Sequence, residues 1–154
     1  MPGTITTAMP TSFKGELPQA IHNFTASTGN VFKVALGIAS PTGTYGAATA
    51  NYSDLTGNAD EVPNGSGYTT GGFAWTAAQN ITPQTSGTTA YWQWSTNPTW
   101  TSASFTCAGC LIYNSSASNQ CVYVGAFGSQ TVTAGTLTLV LPANGVSTAL
   151  LRIA

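Results

Sequence analysis

Along residues 31–38 a large apolar side chain occupies every second position. Phe32, Val34, Leu36 and Ile38 share one face, while Lys33 lies on the other. A period of two is the mark of a half-buried strand. Related segments recur downstream. Residues 73–78 put Phe73, Trp75 and Ala77 together, and residues 90–95 set Tyr91 and Gln93 against Trp92 and Trp94. Residues 101–113 follow, with a bend expected at Ala108-Gly109, and 114–119 read as a hairpin loop into a strand at 121–127. Strands at 136–141 and 148–153 complete the set, the last tied into a sheet by Ala149, Leu151 and Ile153. Short strands separated by turn residues predict an all-β chain, an antiparallel β-sandwich or jelly-roll-like domain.

The N-terminal stretch has a different period. Phe13, Leu17, Ile21 and Phe24 are spaced four, four and three apart, a helical stripe. Thr11 or Ser12 would cap it, and Gly15 and Pro18 weaken its interior, so one short helix broken near Pro18 is expected. Residues 25–30 then turn the chain. The predicted organisation is an N-terminal arm over 1–24 and a single β-sandwich domain over 25–154. The domain carries a long loop region at 40–72, rich in Gly, Ser, Thr and Asn.

Charge is scarce. Three basic and four acidic residues make up 5% of the 154, against about a quarter in ordinary domains, while 42% are hydrophobic. Apolar content of that size argues against disorder. A folded chain of this mass exposes about 7,300 Å², so each charge must serve on the order of 1,000 Å². Lys14, Lys33 and Arg152 cannot track a phosphate backbone, so no nucleic-acid partner is expected. Apolar runs such as 137–142 fall far short of a membrane span. Residues 1–9 lack the basic and apolar regions of a secretory leader, so none is expected.

The residues that could carry chemistry are few. Cys107 and Cys110, with Cys121 beyond, have only His22 as a further soft ligand, which falls short of a four-ligand zinc site. On a flat strand Cys107 and Cys110 would face opposite ways, and Cys110 could meet Cys121 across the hairpin in one register. Three small buried hydrophobes is the favoured reading. His22 has no nucleophile motif to serve and reads as a hydrogen-bonded structural residue. Asp54, Asp60 and Glu61, with Asn58, match no calcium-loop spacing and read as a solvated acidic loop. A glycosidase pair drawn from these acids would need a fixed geometry that such a loop does not offer. Trp92, Trp94 and Trp100, near Trp75, could form a sugar-stacking platform or, as the favoured reading, fill a core or an interface. No catalytic residue, cofactor or metal is expected.

Several short segments, in order along nearly the whole chain, resemble a family of small virion proteins of tailed bacteriophages. They are Ile5-Thr6-Thr7-Ala8-Met9, Ser12-Phe13-Lys14, Ile21-His22-Asn23-Phe24 and Val31-Phe32-Lys33-Val34-Ala35-Leu36, then Glu61-Val62 and Gly65-Ser66-Gly67-Tyr68-Thr69-Thr70-Gly71-Gly72. Leu111-Ile112-Tyr113-Asn114 and the ending Leu150-Leu151-Arg152-Ile153-Ala154 complete the set. Gly15 and Pro18 depart from the family pattern, and the family tends to carry more charge. The resemblance implies a non-enzymatic capsid decoration, or cement, protein made in the host cytoplasm, where disulfides are disfavoured. It would sit on the outer surface of the phage head. Its partners would be the major capsid protein and further copies of itself, as a homo-oligomer, with a trimer expected. Phe13, Leu17, Ile21, Phe24, Tyr45 and Tyr52, in the arm and the long loop, are the expected intersubunit contacts. The alternative is a tail-associated or head-fibre module that binds host-surface glycans through Trp92, Trp94 and Trp100.

Overall fold

A computed structural model describes all residues from Met1 to Ala154. The alternating segment forms β1 (Phe32–Ile38), which lies inside a four-stranded antiparallel sheet. Its neighbours are the two-residue β2 (Phe73–Ala74) and the long β5 (Thr99–Asn114), and β6 (Gln120–Thr138) flanks β5 at the sheet edge. A second, three-stranded antiparallel sheet has the order β3 (Gln84–Ser86), β4 (Thr89–Trp92), β7 (Leu151–Ile153). The chain is therefore the expected all-β fold of two antiparallel sheets. It exposes 7095 Å², close to the area its mass requires.

Two hydrophobic clusters lie on the two faces of the larger sheet. Phe32, Val34, Leu36, Cys110 and Ile112 face the smaller sheet and pack with Trp75, Trp92, Trp94 and Leu151. Ala35, Leu111, Tyr113 and Val124 face the other way, onto Tyr45, Leu55 and the half-buried Ile5 and Tyr52. Because β1 has covered strands on either side and packing on both faces, its even-numbered and odd-numbered positions are both largely buried.

The N-terminal helix α1 (Thr11–Glu16) ends early, in a 3₁₀ turn at Leu17–Gln19 where Pro18 falls, and Ala20 then takes a left-handed φ of 55°. Residues 21–24 are not helical, so Phe13, Leu17, Ile21 and Phe24 do not form one stripe. Neither Thr11 nor Ser12 caps the helix. Pro10 occupies the N-cap position with no side-chain hydrogen bond, its ring presetting φ at −55°.

Residues 40–72 are not a plain loop. They contain the helix α2 (Tyr52–Gly57), started by a capping box in which Asn51 accepts from the Ser53 N–H and Asp54 accepts from the Asn51 N–H. The two strands expected at 121–127 and 136–141 are one, β6, paired with β5 from Asn114↔Gln120 to Thr99↔Thr138. The expected bend at Ala108-Gly109 is a register shift between Cys107 and Gly109, opposite residues 127–129 of β6.

Candidate functional site

Asp60 and Glu61 follow α2 and turn inward. Asp60 is 0% exposed. Its carboxylate accepts from Tyr45 Oη at 2.6 Å, Gly43 N at 2.7 Å and Thr42 N at 2.8 Å. Burial alone would push its pKa up, but these donors outweigh burial and hold it below the usual carboxylate value. Burial, with the hydrogen bond to Asp60, pushes the Tyr45 phenol up to about 12. Glu61 accepts from Tyr52 Oη at 2.6 Å, Tyr68 Oη at 2.7 Å and Gly71 N at 2.7 Å, and Tyr68 Oη in turn accepts from Leu36 N. The expected solvated acidic loop is thus corrected. Both carboxylates are buried and saturated by donors, which is how a buried charge without a cation is tolerated.

A second polar centre links α1 to the β5–β6 hairpin. His22 Nε2 lies 2.7 Å from Glu16 Oε2, and Glu16 Oε1 accepts from Gln120 Nε2. On the other side His22 Nδ1 lies 3.0 Å from Asn114 Nδ2. The Asn114 amide is oriented by two further bonds, Nδ2 to Asn30 Oδ1 and Ser116 N to Oδ1. Nδ2 must therefore donate to Nδ1, so the ring is the neutral tautomer with its proton on Nε2, donated to Glu16. Burial lowers the His22 pKa against the opposing pull of Glu16. The ring is a structural, hydrogen-bonded histidine.

The three cysteines are buried free thiols. The shift at Cys107/Gly109 puts Cys107 and Cys110 into the same cluster rather than on opposite faces. Cys110 pairs with Gly125 and Cys121 with Tyr113, which is not the register in which Cys110 and Cys121 could meet, and the three are buried as the favoured reading has them. Burial pushes the Cys107 thiol up to about 11 and Cys110 to about 12.

Trp92, Trp94 and Trp100 are 3%, 1% and 6% exposed. Trp94 stacks on Trp75 with ring centres 4.4 Å apart, and Trp92 packs against Phe24. No ring face is left for a sugar, and the rings fill the core, which is the favoured of the two readings of these residues. The expected intersubunit contacts are also largely spent within the chain. Phe13, Phe24 and Tyr45 are buried, while Leu17, Ile21 and Tyr52 are half-buried. The arm itself is stitched to the body by bridges from Ile5 to Tyr45 and from Ala8 to Val124.

What remains outside is the low-charge surface that the composition implies, and the fold shows where its apolar part lies. No charged side chain occurs between Glu61 and Arg152. Glu16, Asp60 and Glu61 are buried, so the exterior built from residues 62–151 is entirely neutral. Within it an apolar groove runs beside β6, lined by Leu36, Phe127, Leu137, Leu139 and Val140, with a volume of about 290 Å³. A neighbouring cavity of about 150 Å³ shares Phe127, Leu139 and Val140 and adds Leu141 and Leu150. The signal was present as an uncharged run in the sequence, but the position of its exposed part required the fold. No helix is long and apolar enough to cross a membrane. Comparison with protein-family models, with curated proteins and with solved structures finds no match to this chain.

Proposed function

We propose that this chain is a non-enzymatic virion structural protein, a capsid decoration protein that binds and stabilises the assembled phage head. The observation that carries the reading is the division of polar groups. The buried carboxylates and the histidine are fully engaged in holding the fold, and the neutral exterior over residues 62–151 is suited to contact. Threonine, asparagine and glutamine can hydrogen-bond a partner without the desolvation cost of ions, and such contact is little affected by salt. The segment-by-segment resemblance to small phage virion proteins supplies the setting: the outer surface of the head, with the major capsid protein and further copies of this chain as partners.

The mechanism is mass action. A protein that binds the assembled shell and not its free subunits stabilises the shell in proportion to occupancy. A low-charge surface, a liability for a free protein, suits one held in many copies on a particle. Burial of Trp92, Trp94 and Trp100 removes the residues on which glycan recognition rested. The test is a count of this protein per purified virion against the major capsid protein, by quantitative mass spectrometry. Near-stoichiometric copy number supports decoration. A few copies per particle, or none, overturns it.

A further inference from the structure

The chain contains two Asn-Gly pairs, Asn64-Gly65 and Asn144-Gly145. The dipeptide is chemically fragile, because a glycine without a Cβ leaves its amide nitrogen open to the asparagine side chain before it. Exposure favours reaction at the first pair. Asn64 and Gly65 are both exposed, whereas Asn144 and Gly145 are half-buried. The hydrogen bonds favour the second.

Asn64-Gly65 is held at both reacting groups. The Gly65 N–H donates to Tyr68 O at 2.8 Å, and the Tyr68 N–H donates back to Gly65 O at 2.9 Å. Tyr68 is itself fixed, since its hydroxyl donates to Glu61 and accepts from the Leu36 N–H. Asn64 Oδ1 accepts from the Thr70 N–H at 3.2 Å, which orients the side chain toward residue 70. Gly65 N can reach Asn64 Cγ only after these contacts break together.

Asn144-Gly145 lies in the turn at residues 143–149, whose flanks Gln93 clamps by donating to Pro142 O and accepting from the Leu150 N–H. Gly145 O accepts from the Thr148 and Ala149 N–H groups, but the Gly145 N–H donates to no group of the protein. Asn144 Oδ1 is buried without a donor. Nδ2 has one long contact, 3.3 Å from Oε1 of Gln84 on the exposed strand β3. Attacking nitrogen, side-chain carbonyl and departing amide are all without a strong hydrogen bond.

We infer that Asn144 is a site of spontaneous covalent modification, converting to aspartate and isoaspartate in the folded protein while Asn64 is protected. Hydroxide takes the Gly145 amide proton, and the nitrogen attacks Asn144 Cγ. The new N–Cγ bond closes a succinimide ring as the Cγ–Nδ2 bond breaks, and Nδ2 leaves as ammonia with a proton from water. Water then adds to either ring carbonyl and breaks one C–N bond. The product is aspartate, or isoaspartate with the backbone routed through the former side chain. The sum is one amide and one water giving one carboxylate and ammonia, with no change of oxidation state. The new carboxylate stands on an exterior that is otherwise neutral over residues 62–151, and it doubles the formal net charge of −1. Isoaspartate also adds a carbon to the backbone of the turn between Pro142 and Leu150, two walls of the apolar cavity. The inference is independent of the decoration reading.

The purified full chain, kept in mildly alkaline buffer and sampled over days, should be digested and mapped by mass spectrometry. The peptide holding residue 144 should show the mass gain of an amide turned to a carboxylate. Its rate should exceed that of the peptide holding residue 64 by about tenfold or more, since two hydrogen bonds guard Asn64-Gly65. Both rates should rise with pH, because the attacking nitrogen must lose its proton. In denaturant the two pairs should react at similar rates, which separates the effect of the fold from that of the dipeptide. Ion exchange of the intact native chain should resolve one new, more acidic species, and Asn144→Gln should abolish it. Modification of Asn64 as fast as that of Asn144 in the folded chain overturns the inference. So does an unmodified Asn144 under conditions where the denatured chain reacts, or a preference for Asn144 that persists unchanged in denaturant.

Discussion

Asp60 and Glu61 are adjacent in the chain, yet each carboxylate collects a different part of the fold. Asp60 gathers Thr42, Gly43 and Tyr45 from the segment before α2, and Glu61 gathers Tyr52, Tyr68 and Gly71 from α2 and the loop beyond. Together they order residues 40–72 with few apolar side chains. Removing either acceptor leaves buried donors unsatisfied. Asp60→Ala should cost on the order of 3 kcal/mol in denaturant unfolding, and Tyr45→Phe about 1 kcal/mol, because Asp60 keeps its backbone donors. An Asp60→Ala variant as stable as the parent would show that the network does not hold the loop.

Acid should weaken the fold in two stages. In the unfolded chain His22 takes up a proton near pH 6.5, whereas in the folded chain burial and the Asn114 amide oppose it. The unfolded state then binds more protons, so the His22 contribution is complete above about pH 6.5 and declines as pH falls toward its lowered folded value. Asp60 behaves alike at lower pH. Its pKa is also lowered, so its contribution is present above about pH 4 and is lost on further acidification. Stability measured by urea unfolding across pH should decline in both ranges. His22→Gln should flatten the upper stage and leave the lower, and an unchanged upper stage in that variant would refute the assignment.

The thiols should be silent in the native protein. Burial raises all three, so thiolate is scarce at pH 8, and none is exposed to a reagent. An aromatic disulfide reagent should titrate about none of them in buffer and all in denaturant. Prompt reaction of even one in buffer would mean local opening of the β5–β6 region.

How much of this was legible beforehand follows from which signals are local. β1 could be read because its large side chains alternate, whereas the strand expected at 148–153 is only Leu151–Ile153, with Ala149 and Leu151 buried but Ile153 40% exposed because little covers the chain there. The reading divides β6 because Gly128 and Gly135 resemble breaks, whereas pairing with the long β5 continues past them through register shifts. α2 was missed because Leu55 is its one buried residue, although Asn51 and Asp54 carried the capping signal three residues apart. The acids were misplaced for a different reason. Their solvation depends on tyrosines brought in from 7 to 15 residues away, as with Tyr68 on Glu61 and Tyr45 on Asp60, and spacing alone does not encode that approach.

Two glycines should respond oppositely to alanine. Gly72 has a φ of 76°, and a Cβ there would overlap the Val34 carbonyl of β1. Gly72→Ala should therefore cost about 3 kcal/mol or more, by forcing backbone apart and straining φ. Gly15 lies in α1 with open space around its Cα. Gly15→Ala should raise stability by about 0.5–1 kcal/mol by restricting the unfolded chain. Thermal unfolding of the two variants beside the parent checks both signs, and destabilisation by Gly15→Ala would mean that α1 is not the helix described.

The indoles give a direct optical test of where the aromatic side chains sit. Trp75, Trp92, Trp94 and Trp100 are all buried, with Trp75 and Trp94 stacked and Trp100 near Tyr68 and Phe73. Native emission should accordingly be blue-shifted, and iodide, which stays in water, should quench it far less than in the unfolded chain. Added oligosaccharides should leave the spectrum unchanged, since a sugar would need an exposed ring face on which to stack. Trp92→Phe should lower stability by about 1–3 kcal/mol, because it leaves a gap against Phe24 in the main cluster. Strong iodide quenching, or a sugar-dependent shift abolished in Trp92→Phe or Trp94→Phe, would place those rings at the surface and move glycan recognition, the alternative function, ahead of decoration.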